Sequence, residues 1–563
     1  MTPFVFHEPA FPCVSALGPE VLSVRVFAEK GMVSGMSVFF KNVYDHPAPY
    51  REAPMEKIGE GTRFEVYEGR ISVPERHFRY YFALQTPEGR KDLTAEGVGA
   101  PVINPDAFLV PMVNPGDVFS LPAWAEGVMI YQVLVDRFAD GDPSNNPDPV
   151  RPWNALPDRN TYYGGDFAGL VSKLDYLREL GVGLLYLSPV FRSPSYHKYD
   201  TADYESVEAI YGGKEGLKEL VRAAHAKGIR VLLDGVFNHC SSDHPFFRDL
   251  LEKQERSVYR AWFEPYDFPV SFEKGNYNNF ANQVPKMPRF NTANPEVALY
   301  LSGIAARWTA ELGIDGWRLD VADEVAHPFW RRFREVVRAV NPEALIVGES
   351  WVYADAWMHG DEWDTFTNYR FRKWVFGFAQ GKISARELWE RLEDNRMRYP
   401  SPVENHLVNI LGSHDTERLF RALGKDRKKH FLLLAFLLLY PGIPLLYYGD
   451  EAAMDGAVDP DNRRAMDWPA AASPETRFLA ALGKVRESAP ALRRGRLVPL
   501  SAPDRILAFR RELPGESWLA VLNFSSSAFR PEAGEEIPLL GGHSTPEGFV
   551  VPAMEAALFR TKA

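Results

Sequence analysis

The sequence predicts an α/β protein built on a (β/α)8 TIM barrel, with an N-terminal β-sandwich module and a C-terminal antiparallel β domain. Two observations support this class. Over about 360 residues, short apolar segments alternate with amphipathic segments of helical period, as in a barrel of parallel strands. Both ends of the 563-residue chain show the period-two alternation of β-strands instead. A chain of this length is expected to hold several domains.

The N-terminal module is predicted to span residues 1–115. In its segment VLSVRVF, Leu22, Val24 and Val26 share one face of a strand. Similar short segments separated by turn residues follow along the module. A stretch rich in proline and glycine then leads into the barrel.

The barrel domain is predicted to span residues 116–485, with a small inserted subdomain at about 240–290, after the third strand. The last domain, 486–563, contains two strand-like segments joined by a Pro-Gly turn. The predicted barrel strands are VMIYQVLV, VGLLYLSPV, RVLLDGVFNH, IDGWRLD, ALIVGES, DTFTNY, LVNILGSHD and IPLLYYGDE.

Charge and cysteine content exclude some classes of function. The net charge of −11 argues against a nucleic-acid partner, because phosphate binding needs concentrated Lys and Arg. The two cysteines lack metal-type spacing, and the N-terminus lacks a signal peptide, so we expect a reducing, cytoplasmic compartment. The uncharged stretch 431–448 is interrupted by Pro441, Gly442 and Pro444. It predicts a buried helix and strand, and no membrane partner.

Polar side chains follow four of the predicted barrel strands, where barrels of this class place their catalytic groups. Arg318 and Asp320 lie two apart and so face the same side of their strand. The presence of any single one of these residues has an alternative explanation: it caps the following helix or is a polar residue that fills the barrel interior. Four strand ends that all carry such residues favour a site. The residues are Asp234, Asn238, His239, Arg318, Asp320, Glu349, His414 and Asp415.

These segments resemble the signature segments of the α-amylase family, glycoside hydrolase family 13. The four matching segments are DGVFNH (234–239), GWRLDVADE (316–324), GES (348–350) and GSHD (412–415). MPRFN (287–291) resembles a fifth segment of the neopullulanase, cyclomaltodextrinase and maltogenic amylase branch. The resemblance implies a retaining hydrolase that cleaves α-1,4-glucosidic bonds in cyclodextrins, maltodextrins and pullulan.

The resemblance also implies a role for each matching residue. Asp320 corresponds to the nucleophile, Glu349 to the general acid and base, and Asp415 to the aspartate that binds sugar hydroxyls. Arg318 corresponds to the arginine that keeps the nucleophile ionised. The remaining substrate-binding candidates are Tyr199 as a stacking platform, His239 and His414 as hydrogen-bonding partners, and Trp351, which either lines the cleft or packs.

The chemistry of retention agrees with these roles. A retaining glycosidase needs one ionised and one protonated carboxyl on opposite sides of the scissile bond. We therefore expect Arg318 to lower the pKa of Asp320, and nearby negative charge to raise the pKa of Glu349.

The segment DGDPSNN, directly after the first strand, clusters hard oxygen ligands. It is not an EF-hand, because the twelfth position from Asp140 is Arg151 where glutamate is required. On the resemblance, this loop and the later YGGD imply a structural Ca²⁺ site. The alternative is an Asx-rich turn without metal. The candidate ligands are Asp140, Asp142, Asn145, Asn146, Gly164 and Asp166.

Two departures from the branch pattern bear on specificity. Asp323 stands where asparagine is usual, and Arg289 and Phe290 stand where lysine and leucine are common. The alternatives that remain are a starch-cleaving endo-α-amylase, a transglycosylase or isomerase, and a non-catalytic transporter or binding subunit. The branch also implies a homodimer, in which the N-terminal module of one subunit narrows the partner's barrel mouth.

Overall fold

The computed structural model describes residues 4–45, 48–101, 103, 105–531, 536–545 and 548–561. The chain forms two compact units. The first comprises Met1–Leu121, Asp355–Asp361 and Gly381–Asn405, and the second comprises the rest. The sequence analysis placed 355–361 and 381–405 in the barrel domain, but their contacts group them with the N-terminal module.

The first unit contains the predicted β module. Its antiparallel strands hydrogen-bond continuously, because the long strand Arg51–Glu60 pairs with a neighbour on each side. Leu22, Val24 and Val26 lie in its buried core, as the alternation predicted. Helices Ala385–Met397 and Ser401–Glu404 also belong to this unit. Its strands are Val5–Phe6, Val14–Gly18, Val21–Glu29, Gly35–Asn42, Arg51–Glu60, Phe64–Ser72, Phe78–Thr86, Gly89–Thr94, Gly97–Gly99 and Phe108–Val110.

Arg25, on the strand face opposite those apolar residues, is also buried, with 1% of its surface exposed. Its Nε donates to Glu68 at 2.6 Å, and its Nη2 donates to Glu404 at 3.0 Å. Its Nη1 donates to the carbonyls of Met397 and Tyr399. The segment 381–405 therefore covers this face of the strand and supplies partners for a charge that burial would otherwise penalise.

The second unit contains the closed barrel of eight parallel strands. Each predicted barrel strand is confirmed, and the strands are almost entirely buried, which explains why most of their residues are apolar. The barrel strands are Ile130–Val133, Leu184–Leu187, Arg230–Gly235, Gly316–Leu319, Leu345–Gly348, Thr365–Asn368, Val408–Ile410 and Ile443–Tyr447.

Helices surround these strands. The stretch 431–448 forms the end of a buried helix and a barrel strand, as predicted. No helix in the described part of the chain is long and apolar enough to span a membrane. The main helices of this unit are Phe167–Ser172, Leu174–Leu180, Gly213–Ala226, Pro295–Leu312, His327–Val340, Tyr369–Ala379, Leu419–Ala422, Arg427–Leu439, Pro474–Ser488 and Pro490–Arg494.

The insertion after the third barrel strand contains helix Pro245–Lys253 and a hairpin of Asn279–Phe280 with Val284–Pro288. A second short hairpin pairs Phe191–Arg192 with Asp203–Val207. The C-terminal region forms an antiparallel sheet, in which the predicted Pro-Gly hairpin pairs residues 506–513 with 516–523. The strands of this region are Arg496–Pro499, Ile506–Leu513, Glu516–Asn523, Glu536–Leu540, His543–Thr545, Gly548–Val550 and Glu555–Thr561.

We predict that Arg25→Met destabilises the protein by about 3–5 kcal/mol, because it leaves the carboxylates of Glu68 and Glu404 without their buried partner. Urea unfolding followed by circular dichroism measures the change. Arg222→Met is the matched control, since Arg222 forms an exposed pair with Glu219 and should leave the midpoint nearly unchanged. Equal midpoints for the two variants would contradict the role given to Arg25.

Candidate active site

The carboxyl ends of the barrel strands surround a cavity of about 410 Å³, within the usual range for a small-molecule pocket. All of the predicted catalytic and substrate-binding residues line it except Arg318, which is buried and contacts the lining carboxylates of Asp320 and Glu349. The lining residues are Tyr199, His239, Asp320, Glu349, Trp351, His414 and Asp415 from the prediction, together with His197, Phe280, Met287, Val321, Asp323, Glu324, Asp459 and Arg463.

Arg318 connects the carboxyl groups of the site. Its Nη1 donates to Asp320 at 2.7 Å and to Asp234 at 2.9 Å, and its Nη2 lies 2.8 Å from Glu349. The barrel register places these groups together, since Arg318 pairs directly with Asp234 on the third strand and with Val347 on the fifth. The sequence predicts Asp234 at a strand end but indicates no role for it. It is a direct partner of the arginine.

The pKa of Asp320 is raised well above its ordinary value by burial. The nearby carboxyls of Glu349 and Asp234 raise it further, and Arg318 lowers it. Arg318 thus acts in the predicted direction, but its effect on the pKa of Asp320 is outweighed, because one guanidinium is shared among several buried carboxyls. Burial also raises the pKa of Glu349, and the charge of Asp415 adds to that rise. The direction predicted for Glu349 is confirmed.

These shifts describe a pair of carboxyls that titrate together. Asp320 and Glu349 contact different nitrogens of one guanidinium, whose single charge cannot compensate both of them and Asp234 at once. A proton is therefore retained within the pair, and its apparent pKa values belong to both groups. One ionised and one protonated carboxyl is the state that a retaining glycosidase uses.

Tyr199 forms an aromatic wall of the cavity. Its ring stacks on His414, with the centroids 5.0 Å apart and the planes within 2°. Its hydroxyl donates to Asp234 at 2.8 Å, beside a second donor, the hydroxyl of Tyr186 at 2.6 Å. The phenols fix the Asp234 carboxylate, which in turn fixes Arg318.

The two predicted histidines are neutral groups with defined orientations. The Gln132 amide lies 2.7 Å from His414 Nδ1 and donates to it, so the proton of His414 is on Nε2, which lies 3.2 Å from Asp415. Burial lowers the pKa of His239 to about 3. Its buried Nε2 has no hydrogen-bond partner within the described residues and is available to a sugar hydroxyl.

Trp351 both lines the cleft and packs. Its side chain is 46% exposed, and its ring stacks on Tyr369 with the centroids 3.7 Å apart. Its indole N–H lies 3.3 Å from Glu349 Oε1. The two roles that the sequence left open are therefore compatible.

Asp459 and Arg463 are among the cavity residues that the sequence analysis does not predict. Arg463 lies 3.4 Å from Asp415 and 3.2 Å from Asp459, and both Arg463 and Asp459 line the cavity. They come from the loop after the eighth strand, beyond the strand end where polar residues were sought. An Asp and an Arg four residues apart in a loop carried no signal that separated them from surface charges.

The departures from the branch pattern also lie in or beside the cavity. Ser350 Oγ donates to the Asp323 carboxylate at 3.0 Å. Arg289 Nη1 lies 3.3 Å from the Glu324 carboxylate, and its Nη2 donates to the Glu324 carbonyl. The two positions therefore act on one short turn, which follows the nucleophile along the chain.

The oxygen-rich loop after the first strand is built around Asp166. This carboxylate accepts hydrogen bonds from the backbone of Gly141, Asp142 and Gly169 and from the Asn145 amide. Nearby, Asn146 Nδ2 donates to Asp140, while Asp142 accepts from Ser144.

One observation indicates that this loop can bind a hard cation. The side-chain oxygens of Asn145 and Asn146 are buried and have no hydrogen-bond donor in the described residues. An added Cβ at Gly164 would meet the Asn146 oxygen at 2.4 Å, so only glycine allows this close approach. No group of three or more His, Cys, Asp or Glu side chains in the described chain could hold a metal, so amide and backbone oxygens would have to contribute.

The chain is similar to proteins of known families and structures. Residues 132–477 match a family model described as the α-amylase catalytic domain, and residues 1–113 match the α-amylase N-terminal Ig-like domain. Neopullulanase 2 of Thermoactinomyces vulgaris is 42% identical, with 82% of this chain and 80% of that protein covered. A cyclomaltodextrinase of Thermoanaerobacter pseudethanolicus is 38% identical, with 93% and 92% covered.

Further matches extend the comparison. An intracellular maltogenic amylase of Bacillus subtilis is 36% identical, with 82% of this chain and 80% of that protein covered. A solved structure of a cyclomaltodextrinase superposes with a TM-score of 0.92 at 34% identity, and 99% of each chain is covered.

Proposed function

Because the chain belongs to the α-amylase family of glycoside hydrolases, we propose that it cleaves α-1,4-glucosidic bonds in cyclodextrins, maltodextrins and pullulan with retention of configuration. The observation that carries this proposal is the placement of Asp320 and Glu349 on different nitrogens of the buried Arg318 guanidinium. The relatives named neopullulanase, cyclomaltodextrinase and maltogenic amylase support the substrate class.

The geometry supports the following roles in the two steps of such a reaction. Asp320 attacks the anomeric carbon while Glu349 gives its proton to the departing glycosidic oxygen. Glu349 then removes a proton from water, which displaces Asp320 from the sugar. Asp415, whose side chain is 33% exposed to the cleft, accepts hydrogen bonds from sugar hydroxyls. Tyr199 and Trp351 provide ring faces against which a sugar can lie.

We predict that Asp320→Asn and Glu349→Gln each reduce turnover by several orders of magnitude, since each removes a required step. Asp415→Asn should lower kcat more than it weakens substrate binding, because its contacts strengthen in the transition state. Steady-state kinetics on β-cyclodextrin measure these changes, with melting temperatures as a check of folding.

Asp323→Asn is the matched control, because it removes a carboxylate of the same cleft that takes no part in either step. It should retain turnover within about tenfold. NMR of the freshly released sugar should show the α-anomer. Initial release of the β-anomer would exclude retention.

We further propose that the protein acts as a homodimer that favours cyclodextrins over starch. Support comes from the match to the N-terminal Ig-like domain and from exposed apolar side chains of this module, including Tyr44 at 70% exposure. A wall supplied by a second subunit would admit a small ring or a chain end and exclude helical, branched polymer.

We predict that kcat/KM for β-cyclodextrin exceeds that for soluble starch, and that the ratio falls when the protein is diluted below its dimer dissociation constant. Analytical ultracentrifugation locates that constant, and hydrolysis of maltotriose serves as a control for intact active sites. The intact chain is used because deletion of residues 1–115 would leave Glu404 and Asp394 without their partners Arg25 and Thr62. A starch preference at every concentration would favour an endo-α-amylase.

We also propose that the loop with the unpaired Asn145 and Asn146 oxygens binds Ca²⁺. Those two oxygens, the Asp140 and Asp142 carboxylates and oxygens of Gly164 and Asp166 form the candidate ligand set. The ion would neutralise the carboxylates of the loop and fix the segment that follows the first barrel strand. This role is structural, since none of these residues lines the catalytic cavity.

We predict that EDTA lowers the melting temperature of the protein and that added Ca²⁺ restores it, because a cation bound only by the folded state adds stability. Asn146→Ala should abolish this response. Ser144→Ala is the matched control, since its hydroxyl contacts Asp142 in the same loop and does not belong to the ligand set. A calcium-independent melting temperature in the wild-type protein would exclude the site.

Finally, we propose a cytoplasmic location. Cys13 and Cys240 are both buried free thiols, which suits a reducing compartment, and one relative carries the name intracellular maltogenic amylase. Fractionation of the producing cells by activity tests this. Activity found outside the cells would contradict it.

A further inference from the structure

We propose that Val321, the residue after the nucleophile, is a positioning residue whose strained backbone holds the carboxyl of Glu349 in its reactive orientation. The role given to Glu349 rests on the proposed function. The backbone geometry of Val321 and its contact with Glu349 do not.

Val321 adopts a conformation that a valine rarely takes. Its φ is +48° and its ψ is +39°, which is the left-handed helical region. A β-branched residue there is strained, because its side chain crowds the backbone. Such strain persists only where the surrounding structure fixes the chain, and it is concentrated at active sites.

The chain is fixed on both sides of Val321. On one side, Asp320 donates its backbone N–H to Gly235 and is held by Arg318 through its carboxylate. On the other side, Ala322 is fully buried, and its carbonyl accepts a hydrogen bond from the Trp330 indole at 2.8 Å. Val321 alone connects the two anchored residues, and the left-handed conformation is the one that joins them.

The N–H of Val321 donates to Glu349 Oε2 at 2.8 Å. The other oxygen, Oε1, contacts Arg318 at 2.8 Å and the Trp351 indole at 3.3 Å. A carboxyl held at both oxygens cannot rotate. The peptide group directly after the nucleophile therefore sets the orientation of the acid and base relative to the nucleophile.

This N–H also acts on the ionisation of Glu349. Burial raises the pKa of Glu349 and the charge of Asp415 adds to the rise, while Arg318 and the Val321 N–H lower it. The other ionisable groups facing Glu349 are Asp320, directly after the fourth strand, Tyr186 on the second strand, and Tyr369, the first residue of the helix after the sixth strand. If the peptide loses its fixed direction, the ionised form loses a donor and the pKa of Glu349 rises further.

Three substitutions distinguish the effect of the Val321 backbone conformation from the effect of its side-chain contacts. Val321→Gly relieves the strain and frees the backbone. Val321→Asn also relieves it, because asparagine tolerates the left-handed region, but it keeps the backbone restricted. Val321→Ala removes the two methyl groups that line the cavity and retains a Cβ, so it is the control for lost side-chain contact.

We expect Val321→Gly to lower kcat by about tenfold or more relative to Val321→Ala, since a small misplacement of a catalytic group is costly. The basic limb of its kcat/KM profile should move to higher pH, because that limb reports the protonated Glu349. Val321→Asn should keep the wild-type limb and melt at a higher temperature than Val321→Ala.

Equal kinetics and equal basic limbs for Val321→Gly and Val321→Ala would overturn the proposal, because the effect would then belong to the side chain. Difference infrared spectra against Glu349→Gln follow the titration of this carboxyl without substrate. They should show a higher pKa in Val321→Gly than in Val321→Ala even if no α-glucan is a substrate, and an unchanged pKa would overturn the proposal by itself. If the wild-type protein hydrolyses no α-glucan, the proposed function is refuted, but the role of Val321 in orienting Glu349 is not.

Discussion

The charge balance around Arg318 is the constraint on which the rest of the site depends. One buried guanidinium contacts Asp234, Asp320 and Glu349, so the carboxyls outnumber the cation that compensates them. Asp234 can remain an acceptor because two phenols and the arginine donate to it. Burial raises the pKa of both Asp320 and Glu349, which favours one shared proton in the catalytic pair, the protonation state that its chemistry needs. The parallel barrel makes this arrangement possible, because adjacent strands in register deliver the groups to one end.

The N-terminal unit also buries an arginine that needs carboxylate and carbonyl partners. Arg25 occupies the strand face that simple alternation assigns away from the core, and it is nevertheless buried, because residues 381–405 cover that face and supply Glu404 and carbonyl groups. In the same unit, the backbone N–H of Thr62 donates a hydrogen bond to the Asp394 carboxylate. Charged and polar contacts between residues 332 to 379 positions apart therefore join the module to this segment, and it should not be regarded as a detachable domain.

The sequence could predict the features that depend on neighbouring residues in the chain, and it could not predict those that depend on residues brought together only by folding. Apolar runs that end in a polar residue identified the barrel strands and placed Arg318, Asp320 and Glu349 in one site, because the strand pattern and the fold rule suffice for that. The net pKa direction of Asp320 could not be predicted, since it depends on how many carboxyls share one arginine in space. Asp459 and Arg463 were missed because a loop has no period that fixes where its side chains point. The cover over Arg25 was missed because it comes from a distant segment.

The site also contains features that cost stability, and their location explains why the fold tolerates them. Val321 is left-handed, His239 has a buried nitrogen without a partner, and two carboxyls share a proton in a buried cavity. All of them lie at the open end of the barrel, above strands whose side chains are mostly apolar and almost fully buried. Apolar burial along those strands offsets the unfavourable features, and the rigid strands keep them from relaxing. A site assembled on flexible loops would instead relieve the strain at Val321 and lose the fixed direction of the peptide that holds Glu349.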